Sequence, residues 1–521
     1  VLVLRRVLVA SASVGLTGLA PWTGPTGCGH GSASGANEQG GPAVGASVLE
    51  FHDHLNRDGF YVDPAITKAS VATLHRDTSF DGTIQGNVYG QPLYVENGPG
   101  GKGAFYVATE SDDVYALDET TGGVVWHVSV GTPAKQTGAG CGNVSPIGVT
   151  GTPAIDPASR TIVFDAATAD AGGSIATHTI HALSIDDGSE RWRVDASTLK
   201  DPMGRSFSPQ PENQRSAVLV VGGVAYVAYG GHSGDCGDYH GWLVGVPIAN
   251  PAGVRTYATP ARAAGMWAPG GPASDGTSIF AVTGNRTDDT STWGGSEGVL
   301  RFEAGPTFSE QPNDYFVPDD WSTTLDPDDL DLGGSGPLVV DAPALEPSAL
   351  VVAQGKDGKV YLLDRSNLGG IGTANVGSDT MVSGEFIQSG AFATVRGTTY
   401  LVLHGHRGAQ GTQCPGGTSG DLLAIALDPG APHKMKTAWC ANSHRQGSPI
   451  ITTSDGAHDA LVWTAGAESD GALHAWDLAT GAVVFGGGAT QVPALRRFTT
   501  LIDVKGRLVV AADGRVYAFE P

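Results

Sequence analysis

Apolar and small residues alternate along 105–126, FYVATESDDVYALDETTGGVVW, in a period of two. That alternation predicts strands at Phe105–Ala108 and Val114–Asp118, a turn at Thr121-Gly122 and a third strand from Val124. The unit returns at 461–485, LVWTAGAESDGALHAWDLATGAVVF, and in part at 351–364 and 508–520. A unit of this kind cannot bury its own apolar face, so its copies must stack on one another. Eight repeats can be counted by their opening segment, a Gly or Ser, often a Pro, then an apolar run. They open at Gly90, Gly151, Arg215, Gly271, Gly336, Gly390, Ser448 and Phe498. Four strands every ~40–60 residues is the arithmetic of propeller blades. The fold class expected is therefore all-β, an eight-bladed β-propeller of four-stranded antiparallel blades. The last repeat stops at Val516-Tyr517-Ala518-Phe519, one strand short. An open edge is unfavourable in a ring, so residues 66–80 are expected to supply the missing outer strand.

Two segments break the rhythm, 165–180 and 365–390. They read as insertions on one face that shape a binding mouth. Before the first repeat, residues 29–65 are Gly/Ser/Ala-rich, then mixed polar, and read as a flexible spacer with room for a short helix near Val48–Leu55. The domain plan is thus 1–28 export signal, 29–65 linker and 66–521 propeller.

Composition narrows the partners. The chain has 521 residues, 77 Gly, 31 Pro and a net charge of −23. An acidic surface repels nucleic acid and anionic lipid, which removes both from the expected partners. At the start, Arg5 and Arg6 precede an apolar, small-residue run from Val7 to Leu19, the pattern of an export signal. The run is too short for a membrane span. Pro25-Thr26-Gly27-Cys28 resembles a bacterial lipoprotein cleavage site, departing from it at Pro25. A lipid anchor on Cys28, the one membrane attachment expected, and plain secretion both stay open. Of five cysteines, Cys141, Cys236, Cys414 and Cys440 then suffice for two disulfides in an oxidising compartment. Cys141–Cys236 and Cys414–Cys440 is the expected pairing, although sequence does not fix connectivity.

The phrases Val114-Tyr115-Ala116-Leu117-Asp118…Thr121-Gly122…Trp126 and Leu473-His474-Ala475-Trp476-Asp477…Thr480-Gly481 resemble the repeat of the quinoprotein alcohol dehydrogenases. These are eight-bladed propellers that bind pyrroloquinoline quinone (PQQ). The same repeat occurs in non-enzymatic relatives such as the lipoprotein of the outer-membrane β-barrel assembly machine. The resemblance covers roughly residues 66–521, and it is specific for fold more than for activity.

What it implies can be carried over position by position. Trp267 matches the floor under the quinone, where a flat indole stacks on a flat ring. Asn285, in Thr283-Gly284-Asn285, matches a calcium ligand, as an amide oxygen suits a hard cation. Blade packing and ordinary turn chemistry explain these two residues equally well. Asp331, at the end of an acidic stretch from Asp326, matches the catalytic base and a metal ligand. Lys356 matches the cation beside the quinone carbonyl. Ser216 and Ser233 match hydroxyls facing the cofactor. The match fails in three places. The calcium-binding Glu is replaced by Cys236, leaving Asp235 or Asp238 to substitute. No two cysteines are neighbours, so the family's Cys-Cys cover is absent. No Cys-x-x-Cys-His exists, so no c-type haem is implied.

Outside this set, His404, His406 and His444 raise zinc, with spacing that follows no ligand-loop logic. No nucleophile elbow or phosphate cradle is present. Two function classes follow. One is an exported quinoprotein-like oxidoreductase, periplasmic, envelope-bound or secreted, using PQQ and calcium on an alcohol or sugar. The other is a non-catalytic propeller that binds a protein or glycan on its loop face.

Overall fold

The structure is a computed structural model. It describes residues 47–288, 292–382, 384–409 and 414–521, with residues 406–409 described by their backbone alone. The expected export signal, Cys28 and residues 29–46 of the spacer lie outside the described residues. No helix among those described is long and apolar enough to cross a membrane.

Eight antiparallel sheets form the eight blades. Their innermost strands are Leu93–Val95, Ala154–Asp156, Leu219–Val221, Ala273–Ser274, Leu338–Asp341, Ala391–Val395, Ile450–Thr453 and Ile502–Val504. Blade 8 has three strands of its own. His75–Arg76 and Gly82–Thr83 complete it by pairing antiparallel with Arg515–Glu520. The N-terminal segment therefore closes the ring, as the missing strand required.

The repeat phrase earns its recurrence at the blade interfaces. Trp126 on the outer strand of blade 1 donates its indole N–H to the Ile185 carbonyl of blade 2 at 2.9 Å. Trp439 of blade 6 does the same to Leu478 of blade 7 at 2.7 Å. In each case the turn glycine of the following blade, Gly188 or Gly481, lies against the indole, where a Cβ would overlap the ring. Both glycines have positive φ, 72° and 70°, so the turn needs glycine for conformation and for space. Apolar residues of facing sheets fill the layers between blades.

Three sequence expectations are corrected. Residues 165–180 are no insertion loop: they lie in two long paired strands, Thr161–Ala169 and Ile175–Ser184, in the middle of blade 2. Residues 365–390 likewise contribute strands. Gly370–Gly372 adds in parallel to the outer strand of blade 4, and Gly377–Thr380 is the outer strand of blade 5.

The third correction concerns the spacer. From Val48 the chain is buried and runs along the inner strands of all the blades in order, with no helix. In blades 1 to 7 the second residue of the inner strand points its N–H at this segment. Tyr94 donates to the Val48 carbonyl, Ile155 to Leu49, Ser274 to Leu55, Val339 to Asn56, Phe392 to Asp58 and Ile451 to Gly59, all at 2.7–3.1 Å. Val220 donates to the Glu50 carboxylate at 3.0 Å, and in blade 8 Gly506 donates to Asp63 at 2.5 Å. An inner strand has no neighbour on its axial side, and this segment satisfies the orphan donors there. Positive φ at His52, Asp53 and Arg57 lets the segment curve.

Both expected disulfides, Cys141–Cys236 and Cys414–Cys440, are present.

Candidate functional site

A cavity of about 280 Å³ is lined by residues from several blade connections. Trp267, on the connection from blade 3 to blade 4, forms one wall. Gly230 and Gly265 lie back to back beside it, and a Cβ at Gly230 would press on the Trp267 side chain. Lys356, at the tip of the central hairpin of blade 5, turns inward. Its ammonium lies 5.4 Å from the Trp267 ring centre.

Asp331 is held rigidly. One oxygen accepts the Asn285 backbone N–H at 2.5 Å, and the other pairs with the Lys356 ammonium at 2.5 Å. Gly284 makes this approach possible, because a Cβ there would collide with the carboxylate. Asp329 adds a second carboxylate 2.9 Å from the same ammonium. Burial works against the Lys356 charge, but Asp331 and Asp329 outweigh it and lift its pKa above the ordinary lysine value. Behind Asp331 lies Glu297, fully buried. One of its oxygens accepts the Leu332 N–H at 2.6 Å and the other has no partner. Burial, then repulsion from Asp331, holds Glu297 well above the usual carboxylate range.

Trp267, Lys356, Asp331, Ser233 and Asp235 thus meet in one cavity. Asn285 contributes through its backbone N–H and does not line the cavity. Ser216 does not line it either: its hydroxyl donates to the Met266 carbonyl at 2.8 Å, fixing the backbone next to Trp267. Cys236, at the position where the family has its metal-binding Glu, is consumed by the disulfide to Cys141.

The side chains expected to hold calcium, Asn285, Asp331 and Asp235, have these surroundings. Asp235 accepts the Tyr239 hydroxyl at 2.7 Å, and in this structure Asp331 meets the Asn285 N–H with one oxygen and the Lys356 ammonium with the other.

Sequence reasoning missed Arg215, His232, Arg497 and Phe498, which also line the cavity. Arg215 has its guanidinium 5.3 Å from the Trp267 ring and 5.6 Å from the Phe498 ring. Its Nε is buried without a partner, and it makes no ion pair among the described residues. Burial, then Arg497, lowers its pKa to about 10. Arg497 itself is paired with Glu468 at 2.9 Å. His232 is almost fully buried with Nε2 unpartnered, and burial lowers its pKa to about 3, so it is neutral. A signal was present for two of these. Arg215 and Phe498 are the opening residues of repeats 3 and 8, where most repeats have glycine.

The chemistry of the cavity follows from these parts. Two aromatic faces and one uncommitted cation favour a flat, anionic ligand. At its edge, a carboxylate and an ammonium 2.5 Å apart can take a proton and stabilise developing negative charge.

Comparison with known proteins agrees in fold. Residues 89–287 match the family model described as outer membrane protein assembly factor BamB. No curated protein matches the chain in sequence. Among solved structures, quinohemoprotein alcohol dehydrogenase from Comamonas testosteroni is similar at 14% identity. The match covers 91% of this chain and 80% of that one, with a TM-score of 0.59. The ADHIIG enzyme of Pseudomonas putida HK5 is similar at 12% identity over the same shares, TM-score 0.60. A europium-containing methanol dehydrogenase is similar at 16% identity, over 90% of this chain and 89% of that one, TM-score 0.60. Residues 89–287 thus match that family model, and the chain shares the eight-bladed fold of these alcohol dehydrogenases.

Proposed function

We propose that this protein binds PQQ, or a quinone of the same flat, anionic kind, against Trp267 and oxidises an alcohol or sugar outside the cytoplasm. The observation that carries the reading is the uncommitted Arg215 guanidinium stacked beside Trp267, facing the Asp331–Lys356 pair across one cavity. A bound quinone would supply the two-electron acceptor. The chain's own groups supply the rest. Trp267 and Phe498 hold the ring plane, Arg215 pairs with a ligand carboxylate, and Ser233 at the rim offers a hydroxyl. Asp331 accepts the substrate hydroxyl proton at Oδ2, and Lys356 stabilises the negative charge that appears beside it. The Lys356 ammonium already balances the Asp331 carboxylate, so binding is expected not to require calcium. Export, whether to the periplasm, to the envelope through a Cys28 lipid or to the medium, belongs to the same proposal.

The test is calorimetric titration of the purified chain with PQQ, with and without calcium. The expected result is 1:1 binding that chelation leaves unchanged and that Arg215→Ala weakens by about 10-fold or more, as losing a charge-assisted hydrogen bond would. Lys356→Met should retain binding and lower dye-linked alcohol oxidation by about 10²-fold or more, the scale set by removing one preorganised charge-stabilising group. Absence of heat at high micromolar PQQ would favour the second reading, a scaffold that binds a protein or glycan. That reading draws on the family model that matches residues 89–287.

A further inference from the structure

A second constellation lies away from Trp267, on the loops of blades 6 and 7. His444 sits on the connection from the outer strand of blade 6, Met435–Ala441, to the inner strand of blade 7, Ile450–Thr453. Asp470 and His474 belong to the central hairpin of blade 7. His444 Nδ1 and His474 Nε2 each lie 2.9 Å from the same oxygen, Asp470 Oδ2. The three ligand atoms lie within 4.8 Å of one another, and no other such group occurs among the described residues.

We propose that His444, Asp470 and His474 bind a zinc-type divalent cation. Two imidazoles and one carboxylate are the donor types such ions choose, and three protein ligands leave a fourth position for water. In a tetrahedral site with bonds of ~2.0–2.1 Å, neighbouring ligand atoms stand ~3.3 Å apart, so the 2.9 Å spacing opens only slightly to admit the ion. Each ring proton that now points at Asp470 moves to the other nitrogen of its own ring, and the nitrogen lone pairs turn to the metal. The rings are now stacked, 3.7 Å apart and 3° from parallel. An ion lying in both ring planes requires the His444 ring to tilt away from its partner. His444 can do so: its side chain is 37% exposed, whereas that of His474 is 6% exposed.

The surroundings are built for the purpose. Asp470 is pinned through its other oxygen, which accepts the Ala472 N–H at 3.1 Å, leaving Oδ2 free for ligands. Gly466 leaves the space that Asp470 occupies; a Cβ there would collide with the carboxylate. The connection holds His444 and Arg445 at φ 60° and 87°, a conformation non-glycine residues adopt at a cost and keep where structure demands it. An Asn442 side chain fixes it by accepting the His444 N–H at 3.0 Å. The side also has an opening. His444 lines a cavity of about 500 Å³ together with His404 and Asp421. His404 is buried there with both ring nitrogens unpartnered, its Nε2 3.6 Å from Asp421. Zinc was raised from sequence for His404, His406 and His444. The structure keeps His444, replaces the others with Asp470 and His474, and places His404 on the same cavity. The His406 side chain lies outside the described residues.

Such an ion would tie the connection 442–447 to blade 7. Gln446 on that connection lines both cavities, so the ion would also fix part of the wall opposite Trp267.

Cobalt(II) titration of the chelator-treated full chain tests this without reference to activity or to quinone. One equivalent should produce the visible absorption of a four-coordinate nitrogen and oxygen site, displaced by zinc, and zinc should raise the melting temperature. His444→Ala and Asp470→Asn, both at partly exposed positions, should fold as judged by circular dichroism. Each should weaken binding beyond the roughly 10–100-fold that losing a mere outer hydrogen-bond partner costs, and zinc should no longer raise the melting temperature. No absorption at one equivalent, or a band unchanged in both variants, would overturn the assignment.

Discussion

Two buried ion pairs sit at opposite ends of a spectrum in this propeller. In the axial segment, Arg57 meets Glu50 at 3.0 Å. Every edge of its guanidinium is spoken for: Nε donates to the Pro272 carbonyl, and the terminal nitrogens donate to Glu50 and to the Phe51 and Val218 carbonyls, at 2.9–3.2 Å. In the cavity, Lys356 meets Asp331 at 2.5 Å with one side open to ligand. The first pair joins the axial segment to blades 3 and 4 and is sealed. The second has the same charges and leaves an approach. A sealed charge can only hold the fold, whereas a charge facing a cavity can respond to what enters it.

The largest expected difference is in stability. Arg57→Met leaves Glu50 buried without its cation and strands the Val218, Phe51 and Pro272 carbonyls. Breaking a buried pair in this way costs about 3–5 kcal/mol. Lys356→Met should cost only about 1.5 kcal/mol, because cavity water takes over part of one charge-assisted hydrogen bond. Differential scanning calorimetry of the two variants side by side decides it. Equal losses would mean that the cavity pair is structural after all.

A middle-sized effect comes from pH. Burial raises the pKa of Glu50 to about 7, even with Arg57 beside it. It raises Glu110 to about 7 and Asp112 to about 8, the latter helped by repulsion from Glu110. These groups bind protons more tightly folded than unfolded. Their contribution is complete below the ordinary carboxylate pKa and is lost as pH rises through the folded value. Between the two, each removes about 1.4 kcal/mol of stability per pH unit. The melting temperature should therefore fall from pH 5 to pH 8. Asp112→Asn should flatten that slope, and an unchanged slope would place the alkaline loss elsewhere.

The same contrast explains what could be read from sequence. Strand alternation, turn residues and the Trp–glycine phrase are local or nearest-blade chemistry, so the ring, its eight blades and the closing strand were legible. Trp267, Lys356, Asp331, Ser233 and Asp235 were legible through the family's motifs and do meet. Arg215 stood out only as a departure from the repeat's opening glycine, and His232 not at all, because an imidazole on a connection follows no period and gains its meaning from the blades around it. The axial segment was misread for a different reason. Its work is done chiefly by backbone carbonyls, which carry no residue signature, so a Gly/Ser/Ala-rich lead-in reads as a spacer. Asn285 and Ser216 were chosen for side chains, and the structure uses a backbone N–H of one and a packing hydrogen bond of the other.

The smallest effect tests the repeat phrase itself, at the exposed end of the charge spectrum. Asp118 closes the turn of blade 1: one oxygen accepts the Thr120 and Thr121 N–H groups and the Thr121 hydroxyl, at 2.9–3.1 Å. Asp477 makes the same bonds to Ala479 and Thr480 in blade 7. The Thr121 backbone hydrogen bond is the main reason the Asp118 pKa is lowered. Its contribution is therefore present above the ordinary carboxylate pKa and is lost as pH falls through the lowered value, the reverse of Asp112. Asp118→Ala should cost about 0.5–1 kcal/mol at pH 7, since water competes for these bonds at the surface. The cost should shrink as the pH falls below the ordinary carboxylate pKa, where the wild-type carboxylate takes up a proton as well. A loss comparable to that of Arg57→Met would mean that the turn nucleates blade 1 rather than only closing it. The blade would then depend on its local phrase more than on the axial segment that pairs with its inner strand.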